Sequence, residues 1–553
     1  MNKFKIFSLA LVATTVVKAQ DLETAKKAID AEQFEKAKSL LKSIIQAKPA
    51  NGKAAFLLGN IYLKQNIADS ATISFQKGLS AAEGAKFNNI GLGQMDLDAD
   101  NKAAAQAKFD LAMKDLKKKD TEEYVYIARA YMNSDKPDFA SAIAVLTKAA
   151  TANPNDAQVQ LALGDAYYGA KKQNEAYVAY RNAYQTDSSL IRAKMQLGVL
   201  LKGAKAYTEA VKAYNEVISI NPNYGPVYRE LAETYYLWGN NEPKTYTENI
   251  QKALSFYEKY MSLTDYSITS RMRHADFLIL AKDYKALEVE ANKMKELDKV
   301  NPRILRYLGY SAYENGNTDA SIKALQDFTS NPTNKIIPRD YLYLGQAKIK
   351  KGTSADGKTV DAALMASAME DFKKAIAIDP LVVREFSELG KNYFALKLYN
   401  LSAFFYGYSV DFIDSKTYLE DALYYAICVV TVNRGKTGAE LDMEALTKAD
   451  KVMDDFIAKR PDYQDAYLYK ARINNVMGKD DIMANNFQLY VDMVIAKGDA
   501  EVAKNKAKII EAYNNMAAHY ANSDKAKAKE LFNKTLALDS TNSYATESLK
   551  LLK

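Results

Sequence analysis

Apolar and small residues return every three or four positions along most of this chain, with charged and amide side chains between them. In "LGDAYYGAKKQNEAYVAYRNAY", Leu163-Gly164 is followed by Tyr167, then by Ala176, Tyr180 and Ala183. That spacing predicts two amphipathic helices joined by a short polar turn. The next stretch, "LGVLLKGAKAYTEAVKAYNEVISINP", repeats the outline with Leu197-Gly198, Ala210, Tyr214 and Pro222, and Gly164 to Gly198 is 34 residues. A fixed period of this size predicts stacked helix pairs rather than one closed core.

The outline recurs at Leu58-Gly59, Tyr62, Ala71 and Phe75, and at Gly93, Ala105, Phe109 and Ala112. It recurs again at Leu308-Gly309, Leu325 and Phe328, at Leu344-Gly345, Ala368, Phe372 and Ala375, and at Leu389-Gly390, Tyr393 and Tyr406. Weaker copies centre on Ala37, Ala449, Phe487 and Ala528, and the unit around His274 is degenerate. Small residues sit where two helices approach closely, and the aromatic residues fill the space beside them. The pattern resembles the tetratricopeptide repeat (TPR), W-x2-L-G-x2-Y…A-x3-F…P, although the tryptophan is never kept at its place.

The resemblance implies an all-α fold: a right-handed α-solenoid superhelix of roughly thirteen helix-turn-helix repeats. Repeats are expected over 20–265 and 302–540, with a degenerate junction at 266–301 and a capping helix at 541–553. Three repeats carry enlarged turns, after Trp238, after Ile349 and after Val430.

The 553 residues are 48% hydrophobic, too long for one ordinary core and too apolar for disorder. One cysteine, Cys428, and two distant histidines, His274 and His519, leave little material for disulfides, metal sites or histidine-dependent catalysis. The start, "MNKFKIFSLALVATTVVKAQ", places Lys3 and Lys5 before an apolar stretch and Val17-Lys18-Ala19 after it. It reads as a secretory signal over 1–19, directing the chain to a periplasm or beyond. No cysteine follows the cleavage site to carry a lipid anchor, and no later stretch is long and apolar enough to span a membrane. The formal charge is +7, and removing Lys3, Lys5 and Lys18 leaves +4. So small and dispersed an excess argues against a nucleic-acid partner.

Residues 352–359, "GTSADGKT", match the phosphate-loop pattern literally. A working loop follows a buried strand, whereas here the first helix of a repeat precedes it, so a solvated turn is expected and no cofactor. Acidic pairs such as Glu230 and Glu233 leave a glycan-cleaving enzyme as a minor alternative, with no pair singled out.

Arginine is the rare cation, 13 against 62 lysines. In TPR-like units the first helix lines the concave face. Its groove slots lie five and two residues before the Leu of Leu-Gly and just after the Gly. Arg192, Arg303, Arg339 and Arg384 fill the first slot; Arg229, Arg306 and Arg271 the second; Arg129 and Arg472 the third. Tyr307, Tyr310, Tyr343 and Gln346 fall beside them, and Glu233 and Lys391 complete the candidate set. Arginine's planar fork suits carboxylates, so an extended acidic segment or a C-terminal carboxylate of a partner protein is the expected ligand. Two other readings stand beside it: a ladder of arginines paired with the chain's own acids, and a glycan-binding face using the tyrosines.

Overall fold

In this computed structural model the described residues are 22–117, 119–265, 267–357 and 359–552. The expected export signal and Lys358 of the glycine-rich turn lie outside the described residues. The chain divides into two compact units, Met1–Lys299 and Val300–Lys553. The first holds eight antiparallel helix pairs, from Leu22–Asp30 with Phe34–Ala47 to Ile268–Leu280 with Tyr284–Leu297. The second holds six, from Arg303–Glu314 with Thr318–Thr329 to Lys506–Tyr520 with Lys525–Leu538, and then the end helix Ser543–Leu551. No strand occurs among the described residues, and each unit is an all-α solenoid. The segment expected to be degenerate forms a regular pair whose core is Ala275, Leu278, Leu287, Ala291 and Met294.

The Leu-Gly spacing has a direct cause. A Cβ added at Gly59, Gly93, Gly164, Gly198, Gly309 or Gly345 would lie closer than 3.0 Å to Phe75, Phe109, Tyr180, Tyr214, Leu325 or Phe372 respectively. Each of those large side chains comes from the second helix of the same pair and is almost wholly buried. The missing side chain on one helix is the socket for the large side chain on the other, which sets the distance between them.

The turn inside seven of the fourteen described pairs is equally regular. Glu32, Asn66, Asp100, Lys171, Lys205, Lys282 and Lys397 all take φ between 58° and 61°. This is the left-handed region, where non-glycine residues are uncommon. Glu32, Asn66 and Asp100 stand one 34-residue period apart, so the turn, like the packing, is inherited by position.

The enlarged turns differ from one another. After Trp238 most of the extra length is helix, since the pair Gly225–Asn241 and Tyr246–Leu263 is joined by a 3-10 turn, Pro243–Thr245. After Ile349 the chain forms a turn pinned by a Thr353–Val360 bridge, with the Ser354 hydroxyl accepting from the Thr359 amide at 3.1 Å. The helix Pro338–Gly352 precedes that turn, not a strand. After Val430 the buried Asn433 carboxamide accepts from the Asp442 amide at 2.8 Å and closes the insertion.

Replacing Gly164 by Ala should destabilise the first unit by about 1–3 kcal/mol, because the added methyl meets the Tyr180 ring. Gly203 ends its helix with nothing within 4 Å of an added Cβ, so Gly203→Ala should be neutral or stabilising by up to about 1 kcal/mol. Urea midpoints of the two variants measure the contrast; equal effects would remove the socket explanation.

Candidate binding faces of the two units

In the first unit, charged side chains on successive first helices reach one another. Asp165, on Ala157–Gly169, accepts two 2.9 Å bonds from Arg192 on Ile191–Gly203. Lys202 of that same helix donates to Glu230 on Gly225–Asn241 at 2.6 Å. Glu233, three residues on, receives Arg273 of Ile268–Leu280 in a two-pronged pair at 2.8 and 2.7 Å. Arg229 is held by Glu32, at 2.7 Å to each carboxylate oxygen. Arg192, Arg229 and Glu233 are therefore rungs of an internal ladder.

Asp30 lies among these groups. It keeps solvent access, but crowding by the surrounding chain raises its carboxyl above the usual range, opposed by the charges of Arg192 and Arg129 and by the Tyr224 hydroxyl. Arg129 stacks over Tyr126, 5.5 Å from the ring centre, and makes no ion pair among the described residues.

The second unit corrects the expected cluster of Arg303, Arg306 and Arg339. Arg306 is buried, at 8% exposure, and its Nε and Nη2 donate to Asp340 at 2.7 and 2.9 Å. Nη2 also donates to the Lys335 carbonyl at 2.7 Å, and the Phe328 ring lies 4.8 Å beneath the guanidinium. Asp340, wholly buried, also accepts from the Tyr310 hydroxyl at 2.7 Å and the Ile337 amide at 2.8 Å. Burial, with the Asp340 charge beside it, pushes the Tyr310 phenol well above its usual value. Arg306, Tyr307 and Tyr310 thus belong to the core rather than to an open groove.

Their neighbours stay nearer the surface. Tyr343 stacks on Tyr310 with centroids 4.3 Å apart and donates to Glu314 at 2.8 Å, while Tyr313 reaches Gln346 at 3.4 Å. Arg303 is exposed and donates to the Tyr307 hydroxyl at 2.9 Å. Arg339, Arg384 and Lys391 are exposed. Arg384 borders a cleft of about 530 Å³ shared with Ser409, Ile413, Lys416 and Thr417. No group of three metal-binding side chains occurs among the described residues.

A sequence profile described as tetratricopeptide repeat matches residues 22–86 and 127–191, where the Gly59–Phe75 and Gly164–Tyr180 sockets lie. Those two stretches are tetratricopeptide repeats. No curated protein matches its sequence. Among solved structures, the C-terminal part of a TPR repeat-containing protein from Cytophaga hutchinsonii is 22% identical, covering 50% of this chain and 98% of its own, with a TM-score of 0.30. A tetratricopeptide repeat protein from Parabacteroides merdae is 17% identical, covering 52% and 98%, at 0.31. Pseudomonas aeruginosa PilF is 19% identical, covering 38% and 90%, at 0.32. At such identities and scores these neighbours carry no functional argument.

The tetratricopeptide spacing also exposes what the slot reading missed. The acids Glu32, Asp165, Asp340 and Glu511 were not candidates, yet they receive Arg229, Arg192, Arg306 and Arg472. Arg306 and Asp340 are 34 residues apart, as are Ser387 and the buried Asp421 that accepts from it, so for Arg306 an acid one period away was the available signal; the other three pairs lie 27, 39 and 197 residues apart. Lys348 with Asp371, buried together at 2.5 Å, joins the two helices of one pair and carries no such mark.

Arg306→Ala should lower the stability of the second unit by about 3–5 kcal/mol, because the wholly buried Asp340 loses its ion-pair partner. Arg339→Ala, at an exposed position, should change it by under about 0.5 kcal/mol. Denaturant midpoints of the two variants check the pair of values.

Proposed function

We propose that this protein is a non-enzymatic interaction scaffold that holds an extended, acid-bearing segment of a partner protein along its first helices, after export to a periplasm or beyond. One observation carries the reading. Arg339 is exposed in the first turn of Pro338–Gly352, and Arg384 is exposed just before Phe386–Ala395; neither makes an ion pair among the described residues. A helix N-terminus disfavours a nearby cation, so helix stability does not account for either arginine. An anionic ligand would gain from both the guanidinium and the terminal amides.

The glycan alternative needs free ring faces. In the first unit the buried Tyr207 and the half-buried Tyr235 each stack on Trp238 at 5.9 Å, and Tyr235 on Phe256 at 5.5 Å. In the second unit Tyr343 is taken by Tyr310. A glycan-cleaving site would need two uncommitted carboxylates, and Glu230 and Glu233 are bound by Lys202 and Arg273.

A labelled decapeptide of Asp and Glu should bind the full chain saturably and more weakly as salt rises, while its Asn and Gln counterpart should not. The double variant Arg339→Ala, Arg384→Ala should weaken that binding by about 2–5 kcal/mol, thirtyfold or more, if the pairs are desolvated in the complex. Equal binding by the variant would reject the arginine face. Mass spectrometry of the protein from its native cell should find the first nineteen residues missing, with Gln20 at the N-terminus; a retained Met1 on exported protein would reject the export reading.

A further inference from the structure

The longest-range contacts inside the first unit join its first helix pair to its seventh. The turn between Leu22–Asp30 and Phe34–Ala47 meets the ends of Gly225–Asn241 and Tyr246–Leu263, some 200 residues on. Glu32, the left-handed residue of that turn, is gripped by Arg229 and accepts from the Tyr260 hydroxyl at 2.8 Å. The Gln33 carboxamide donates to the Leu263 carbonyl at 3.2 Å, and Asp265 accepts from the Glu35 amide at 2.6 Å. A side chain at Gly225 would strike Thr264.

This junction differs in kind from those between neighbouring pairs. The hydrophobic cluster that includes Ala25, Ala28, Leu41 and Ile44 runs on through Phe56, Phe75 and Phe109 to Ile127 and Ala130. It takes no residue from the seventh pair. Neighbouring pairs are welded by apolar burial, whereas the first and seventh meet through hydrogen bonds and one two-pronged ion pair. Apolar burial is lost only on unfolding, but a polar contact exchanges for water at small net cost, so such a seam can open while every helix stays formed.

We propose that the Asp30–Glu35 turn is a polar clasp that closes the first unit on itself, with the Glu32–Arg229 pair as its bolt, and that the unit works by opening and closing there. Closure brings Asp30 of the turn within reach of the charges of Arg192 and Arg129; release of Glu32 draws it away and leaves Arg229 with Glu230 alone, at 3.5 Å. The remaining repeats act as the spring, because each flexes slightly against the next and the displacement accumulates along the stack.

The test is a distance. Spin labels on Lys36→Cys and Lys259→Cys, both exposed positions beside the seam, are placed in the full chain. The native Cys428 is buried, with its thiol pushed up to about 11, and stays unlabelled. With Glu32 and Arg229 intact, one short and narrow distance is expected. Glu32→Gln, which keeps the shape and removes the charge, and Arg229→Ala should each move it outward by at least about one helix spacing, 8–10 Å, and broaden it. Helical circular dichroism should be unchanged in both. An unchanged distance in both variants would overturn the clasp, as would a lengthened one accompanied by lost helix, since the pair would then be holding the fold rather than closing it. The readout needs no partner, so it is independent of whether acidic segments bind.

Discussion

The approach of a large side chain on one helix to a bare glycine backbone on its partner is the contact on which the rest of this protein depends. Tyr180 against Gly164 and Tyr214 against Gly198 leave no room for a methyl group, so the two helices of each pair stand at a distance set by ring thickness. Because the glycine is followed directly by the residue facing the next first helix, fixing the socket also fixes where Asp165 points. The chemistry of the inner faces is therefore indexed to the packing.

On that index the protein builds a second system, of charges. Asp165 with Arg192, Glu230 with Lys202, Glu233 with Arg273 and Arg306 with Asp340 each connect one repeat with the next. Such pairs add little net stability over well-packed apolar residues, since desolvation offsets attraction, but a broken one is costly. Their effect is to make a shifted stacking register expensive. Asp340 and Asp421 show the same logic at its most buried, each accepting bonds from several donors. Arginines outside the ladder, such as Arg129, Arg339 and Arg384, are then the ones whose placement asks for another explanation.

A solenoid with apolar interfaces between neighbours and a polar one between distant members has two grades of strength. Opening of the weaker grade leaves the cores around Phe75, Leu146 and Tyr180 intact. Glu32 joins both systems. Its left-handed backbone comes from a turn that several repeats share, while its carboxylate serves a contact made by this repeat with the seventh.

The sequence by itself determined the helices, their period and their sockets, because each depends on residues within one unit: Leu163-Gly164 and Tyr180 are close along the chain and meet through local helix geometry. It placed Arg192, Arg229, Arg303 and Arg306 on first helices for the same reason. Only the tertiary structure decided which of them are spent. Whether an arginine is open or paired depends on a carboxylate from another repeat, 27 residues away for Arg192, 34 for Arg306 and 197 for Arg229. Spacing along one helix does not encode the superhelical path that brings Glu32 to Arg229, since that path sums small rotations between successive pairs. Tyr307 and Tyr310 went the same way: helical period puts both on first helices, but the neighbouring helices and Asp340 decide that their rings are core.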